Sequence, residues 1–350
     1  MRMDRLDALR LGAALAVLWG HGWVLYGRGV LVPFAGHSLG SLAVGVFFAI
    51  SGWLIRGSWQ RQPDVGAFWR KRLARIYPGL LVASSLTVVL LGPAMTRLGA
   101  AQYWGSPEPR MYWLNNALAL ATVQTLPGVF EHNPFARAVN GSLWTLRYEL
   151  LMYASVALLG RIPALRQRPP YRLLALGLGL AWLATLTWAP ERSASQGGAW
   201  ALFDWYDGAS FAVLFYAGAS LHDQRPPRAL TLGLMTLASA ALALWAAQPA
   251  LVQLGVWGLT LSLLLAVIRS ASAQRVSSDR RVDWSYGVYI YAFPVQQALA
   301  QWLWPHQAPF ALYQLLSTLL TLLLAAASWR WVEAPSLRWA HRMPNPSVWR

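Results

Sequence analysis

The sequence predicts an all-α fold, a polytopic membrane helical bundle of about ten transmembrane helices, and three observations predict it. Hydrophobic residues make up 56% and charged residues 12% of 350 positions, so a soluble domain of this composition would leave much apolar surface in water. The apolar residues gather into runs of roughly 20, the length that crosses about 30 Å of hydrocarbon at 1.5 Å per residue. The basic residues fall in short clusters between those runs, as membrane topology requires, and not along one polar face as nucleic-acid binding requires. Cysteine is absent, which excludes disulfides, thiolate nucleophiles and cysteine-ligated zinc. Catalysis, if present, rests on His, Asp, Glu, Ser or Arg.

In chain order, the candidate spans are 7–26, 38–56, 76–93, 142–160, 172–190, 200–221, 229–247, 251–269, 283–304 and 310–332. The first follows the basic stretch MRMDRLDALR and stays apolar to about Leu25 without a small-x-small cleavage site, so it reads as a retained helix and not as a signal peptide. A further run, MYWLNNALALATVQTLP at 111–127, is shorter and carries Asn115, Asn116 and Gln124. If it does not cross, loops 56–75, 161–172, 222–228 and 269–281 and both termini are cytoplasmic. Of 29 basic residues, that arrangement leaves only Arg28, Arg97, Arg110, Arg137 and Arg192 outside, with Arg147 in a helix. A crossing would move 161–172 outside and destroy the bias for every later loop. Segment 94–141 is therefore expected to be extracytoplasmic, its apolar part interfacial or re-entrant against protein. One membrane domain is expected to fill residues 1–350, with no soluble domain. Arg is used almost to the exclusion of Lys, a trait of high-GC bacteria, and a bacterial inner membrane is the expected location.

Within the first span, RLGAALAVLWGH (10–21) puts Arg10 and His21 on one helical face. They lie about 20° apart in azimuth and roughly 16 Å apart along the axis. A lone histidine near a helix end is ordinarily an interfacial residue bonded to a neighbour. An ionisable group at membrane depth is nevertheless a functional candidate, and imidazole is the usual base near neutral pH. Asp7, three residues before Arg10, is able to pair with it. Glu149 enters its span from the outer side to a depth similar to that of His21, so the two are able to meet, the carboxylate fixing the imidazole tautomer. Pairing with Arg147 and binding of acceptor hydroxyls are the alternatives. No HxxxH or HExxH spacing supports a metal site.

Six segments carry a further signal: RLDALRLGAALAVLWGH at the start, GVFFAISGWL (45–54), FWRKRLARIYP (68–78), NGSLWTLRYELLMY (140–153), DWSYGVYIYAFPV (283–295) and WRWVEAPSLRW (329–339). Together, and in this order, they resemble the acyltransferase-3 family of integral-membrane acyltransferases. The resemblance implies transfer of an acyl group, usually acetyl, from cytoplasmic acyl-CoA to a hydroxyl of a cell-surface or lipid-linked glycan, without a metal. His21 matches the family's essential histidine, Arg10 its partner arginine, and Arg72 and Arg75 the RxxR pair associated with the CoA donor. Some members carry a soluble SGNH domain. This chain is expected to lack one, so transfer would be completed in the membrane domain or by a partner acyltransferase.

Elementary chemistry agrees with that implication. Guanidinium groups bind phosphate in bidentate fashion, and 56–75 supplies Arg56, Arg61, Arg70, Lys71, Arg72 and Arg75. Arg56 and Arg61 are equally well explained as stop-transfer residues. An extended pantetheine arm is of the order of the rise from Arg10 to His21. Ser51 and Tyr153 are candidates for the oxyanion or substrate, and Trp144 for substrate. Helix packing is the competing explanation of Ser51 and Tyr153 and the preferred one for Ser51-Gly52. Ser142, Tyr286 and Tyr289 match the family motifs, yet interfacial Tyr and Trp are commonly anchoring residues. Trp104, Tyr112 and Trp113 are placed to meet an acceptor glycan. Two other functions compete: acylation of a small metabolite such as a macrolide, and a polytopic transporter or flippase, for which buried Arg, His and Glu also fit.

Overall fold

The computed structural model describes residues 4–166, 169–188, 205–271 and 282–343. All regular structure among them is helical: α1 (Arg5–Leu25), α2 (Leu39–Arg61), α3 (Val65–Leu86), α4 (Gly92–Met95), α5 (Ala100–Gly105), α6 (Glu108–Ala117), α7 (Leu146–Arg161), α8 (Pro163–Arg166), α9 (Tyr171–Trp188), α10 (Trp205–His222), α11 (Ala229–Trp245), α12 (Pro249–Ala271), α13 (Ser285–Leu303), α14 (Phe310–Ser328) and α15 (Ala334–Arg342). Arg192, most of the loop expected at 269–281, the first residues of the span expected at 200–221 and the tail beyond 343 lie outside the described residues.

Five stretches among the described residues are long and apolar enough to cross a membrane: Arg5–Leu25, Leu39–Arg61, Val65–Met95, Pro249–Ser270 and Phe310–Arg342. Several such helices mark a multi-pass membrane protein. Tyr171–Leu186 and Ala229–Trp245 are apolar but shorter. Two of the expected spans are polar for their length: α7 has 16 residues with Arg147 and Glu149 among them, and α13 carries Pro294, Gln296, Gln297 and Gln301. The ambiguous 111–127 forms no spanning helix. α6 has 10 residues, about 15 Å at the helical rise, and helical geometry ends at Ala117.

The helix starts follow from sequence. Asp4 Oδ1 accepts from the backbone N–H of Leu6 and of Asp7, Ser38 Oγ from that of Ser41, and Asp64 Oδ1 from that of Ala67, each supplying an acceptor to an otherwise unpaired first turn. Two helices widen instead of ending. α3 passes into α4 through a π turn at Thr87–Leu91, and α14 into α15 through one at Trp329–Glu333, where Ala334 N–H bonds the Trp329 carbonyl. Pro93 and Pro335 follow these turns. A proline cannot donate to the carbonyl four residues back and crowds it, and a wider turn relieves both problems.

The chain divides into two compact units. Unit 1 comprises Met1–Ala13, Val32–Phe68 and Tyr148–Val282. Its backbones approach most closely where α2 meets α10: a Cβ added to Gly52 would lie 1.8 Å from the Phe215 carbonyl oxygen, and one added to Gly218 would lie 2.1 Å from that of Ala49. Only glycine allows this approach. Phe48 and Phe211 stack beside the crossing at 4.6 Å. Arg56, 3% exposed, pairs with Asp223 at 3.0 Å.

Unit 2 comprises Ala14–Leu31, Trp69–Arg147 and Asp283–Arg350. In it α13 packs on α14, with a Cβ added to Gly287 falling 2.8 Å from Ala325 Cα, and the Tyr286 hydroxyl donates to the Ile76 carbonyl at 2.7 Å. Segment 94–141 has a small core of its own from Tyr103, Tyr112, Leu126, Val129, Phe130 and Val139, shared with Val88. Burial pushes the Tyr103 hydroxyl up to about 12, so it remains a donor to the Val88 carbonyl, 2.9 Å away, at any working pH. Carboxamides hold the non-helical part of the segment on α13. Asn133 Nδ2 donates to Gln297 Oε1 at 2.8 Å, Gln297 Nε2 to the Ala138 carbonyl at 2.6 Å, and Asn140 Nδ2 to the Ile290 carbonyl at 3.0 Å.

Candidate active site

His21 lies in unit 2, about one turn before the end of α1, and most of that helix is Leu, Ala, Val, Gly and Trp. Its ring meets the edge of Phe293 at 5.3 Å between centroids. Its Nδ1 is buried and has no hydrogen-bond partner among the described residues. An unmet nitrogen there costs free energy, and it leaves a lone pair or N–H for a bound group. Carboxamides flank the same stretch of α1. Gln296 Nε2 donates to the Leu18 carbonyl at 2.8 Å, and a Cβ added to Gly22 would lie 2.0 Å from Gln314 Oε1 and 3.0 Å from Gln296 Nε2. Sequence reasoning assigned neither glutamine a role, although a carboxamide within an apolar run was a visible signal.

A second cluster in unit 2 surrounds Arg75. Its Nη2 reaches Asp283 Oδ2 at 2.5 Å and its Nη1 reaches Glu333 Oε2 at 3.5 Å. Glu333 is fully buried in the π turn, where its Oε1 accepts from Ser328 Oγ at 2.8 Å. Asp283 Oδ1 accepts from the backbone N–H of Ser285 at 3.0 Å. The guanidinium also lies against Tyr286 and Trp329. Two carboxylates thus hold the arginine that sequence reasoning set aside for donor phosphates. Arg72, three residues earlier on α3 and half-buried, lies one turn from this clamp.

In unit 1, α2 and α7 bring together Ser51, Glu149 and Tyr153. Ser51 Oγ donates to Glu149 Oε1 at 3.2 Å, the Tyr153 hydroxyl donates to the same oxygen, and the two hydroxyls stand 3.2 Å apart. Three residues singled out separately from sequence therefore form one hydrogen-bonded group. A carboxylate that collects hydroxyl donors suits binding of polyhydroxyl compounds.

The other expected residues are placed as follows. Arg10 is half-buried on α1 within the part of that helix belonging to unit 1. Trp144 is half-buried in a 3₁₀ turn ahead of α7. Tyr286 and Tyr289 are buried rather than interfacial: the Tyr289 hydroxyl donates to the Ser142 carbonyl at 2.8 Å and shares a 2.6 Å hydrogen bond with Thr145 Oγ1. Tyr112 does not meet solvent or a glycan, because it is fully buried in the core of the outer segment. Trp104, 51% exposed, remains available. No group of three metal-ligating side chains occurs among the described residues.

A family model described as an acyltransferase domain matches residues 3–330. A protein of Shigella phage Sf6 called O-acetyl transferase is 27% identical over 330 residues, covering 93% of this chain and 94% of its own. Nodulation protein 10 of Rhizobium leguminosarum bv. viciae is 26% identical over 372 residues, covering 96% and 93%. Acyltransferase MdmB of Streptomyces mycarofaciens is 29% identical over 145 residues, 41% of this chain and 34% of its own. No solved structure matches.

Proposed function

Because the chain belongs to the acyltransferase-3 family, we propose that it is a membrane O-acyltransferase that moves an acetyl group from cytoplasmic acetyl-CoA to a hydroxyl of a cell-surface or lipid-linked glycan. Membership in an acyltransferase family sets aside the transport reading. The acetyl group is supported by the name of the phage relative, which matches along nearly its whole length. The observation that carries the chemistry is His21, an imidazole in an apolar helix whose buried Nδ1 has no protein partner among the described residues.

In this reading His21 takes the proton from the acceptor hydroxyl as the hydroxyl oxygen attacks the thioester carbonyl. The tetrahedral intermediate then expels the CoA thiolate, which recovers the proton from the imidazolium. Arg10 and Arg72 supply cations for the donor phosphates. Arg75, held by Asp283 and Glu333, positions the stretch of α3 on which Arg72 stands. Glu149, with Ser51 and Tyr153, binds acceptor hydroxyls, and Trp144 contributes an aromatic face to the acceptor. About ten helices cross a bacterial inner membrane, with both termini cytoplasmic, as the distribution of arginine supports.

The test uses the protein in nanodiscs with acetyl-CoA carrying a radiolabelled acetyl group. Wild type is expected to bind the donor and release or transfer the label, His21→Ala to bind it and remain inert, and Arg72→Ala to lose affinity. A wild-type protein without affinity for acetyl-CoA sinks the proposal at its first step.

A further inference from the structure

The sequence of α14 reads as an apolar span, yet one face of it is polar. Gln314, Ser317 and Thr321 follow one another at spacings of three and four residues, which puts all three within an arc of about 60° over about 10 Å of helix. None of them faces lipid: Gln314 is 3% exposed, and Ser317 and Thr321 are fully buried. Both side-chain amide atoms of Gln314, the Thr321 hydroxyl and, on α13, Gln296 Oε1 are buried without a hydrogen-bond partner among the described residues. Gln297, the neighbour of Gln296, shows what an engaged carboxamide looks like here, since it bonds Asn133, Phe135 and Ala138. Leaving several polar groups unmet in a span is costly, and the cost is recovered when a ligand meets them. The stripe starts beside the base, because Gln314 and Gln296 press on Gly22, next to His21.

We infer that this face of α14, completed by Gln296, binds the pantetheine arm of the acyl donor. The inference rests on acyl-CoA being the donor. The arm is an apolar chain interrupted by secondary amides, each with one donor and one acceptor. Gln314 offers both a matching donor and a matching acceptor, Gln296 Oε1 offers a second acceptor, and Thr321 offers a hydroxyl further along. Gln314 addresses the amide at the thioester end, beside His21, and Thr321 addresses the second amide, nearer the nucleotide.

The experiment compares wild type with Thr321→Val, nearly isosteric, and with Gln314→Leu in nanodiscs, using acetyl-CoA and, in parallel, the acetyl thioester of N-acetylcysteamine, which keeps one amide of the arm. Thr321→Val is expected to raise KM for acetyl-CoA about tenfold. Its kcat, its KM for the acceptor and its use of the short thioester stay within about twofold of wild type. Gln314→Leu impairs both donors. Wild-type transfer from acetyl-CoA with unchanged donor KM in both variants overturns this inference alone, and ordered water then accounts for the stripe. Equal damage to both donors by Thr321→Val also overturns it, since a structural role does not distinguish them. Absence of transfer by wild type overturns the donor assignment and, with it, the inference.

Discussion

Replacing Arg75 by Met removes the cation between Asp283 and Glu333, whose side chains are 9% and 0% exposed. Two buried carboxylates then share one site without a counter-charge. Removing one partner of a buried ion pair costs about 3–5 kcal/mol, and the second carboxylate makes the upper figure the better guide. With an unfolding entropy of about 2.1 cal/mol/K per residue over 350 residues, each kcal/mol is about 1.4 °C, and the melting temperature in detergent falls by about 7 °C. Unfolding of such a protein is commonly irreversible, so variants are compared at one scan rate. The companion variant Arg75→Met/Asp283→Asn/Glu333→Gln keeps the shapes and removes all three charges, and it is expected to recover more than half of the loss. Arg72→Met completes the set, losing affinity for acetyl-CoA far more than it loses stability. If Arg75→Met melts with wild type while donor affinity collapses, the clamp is not structural and Arg75 belongs with the phosphate ligands. If the triple variant is no better than the single one, repulsion between bare carboxylates is not what the arginine prevents.

Other perturbations read other parts of the molecule. Gly52→Ala is expected to cost about 1–3 kcal/mol or more, because its Cβ would strike the Phe215 carbonyl and force α2 from α10, whereas Gly233→Ala, with nothing within 4 Å of the added carbon, should be neutral or stabilising by up to about 1 kcal/mol; thermal melts of the pair decide it. Asn140→Ala removes the bond to the Ile290 carbonyl and an acceptor for Ser142 N–H, with about 1–3 kcal/mol lost, and faster hydrogen exchange at residues 140–142 is the local sign. Tyr153→Phe deletes one of the two hydroxyls donated to Glu149 and is expected to raise KM for the acceptor several-fold with KM for acetyl-CoA unchanged. A change confined to the donor instead would move this cluster away from acceptor binding.

Much of this was legible in the sequence because the relevant signals are local. The apolar run that starts near Asp4 forms α1, and caps at Asp4, Ser38 and Asp64 stand where a short polar residue precedes a helix. The distribution of arginine argued against a crossing by 111–127, which forms no spanning helix. Ser51, Glu149 and Tyr153 were each picked out, but their meeting depends on α2 finding α7, 98 residues away in sequence for Ser51 and Glu149. The clamp on Arg75 was harder still. Asp283 and Glu333 stand 208 and 258 residues away, and a carboxylate at a span end looks the same in sequence whether it binds water, lipid headgroup or arginine. Tyr112 was misplaced because an aromatic residue in an outer segment gives no sign of whether the segment folds on a core. Gln314 was passed over because one glutamine hardly lowers the hydropathy of a leucine-rich run.

The π turn at Trp329–Glu333 also bears on the kinds of change this chain is able to accept. A π turn holds one residue more than an α ladder spanning the same height, so the segment behaves as a fixed insertion in an otherwise regular helix. Deleting Val332 would leave composition and hydropathy nearly intact and would let the ladder close as ordinary α-helix. Glu333 would then rotate by about 100° and shift by about 1.5 Å, taking its carboxylate off the arginine. Substitution at this turn varies a side chain, whereas a change of length resets the register of everything beyond it. Drift by insertion or deletion is therefore closed to this stretch even where drift by substitution stays open.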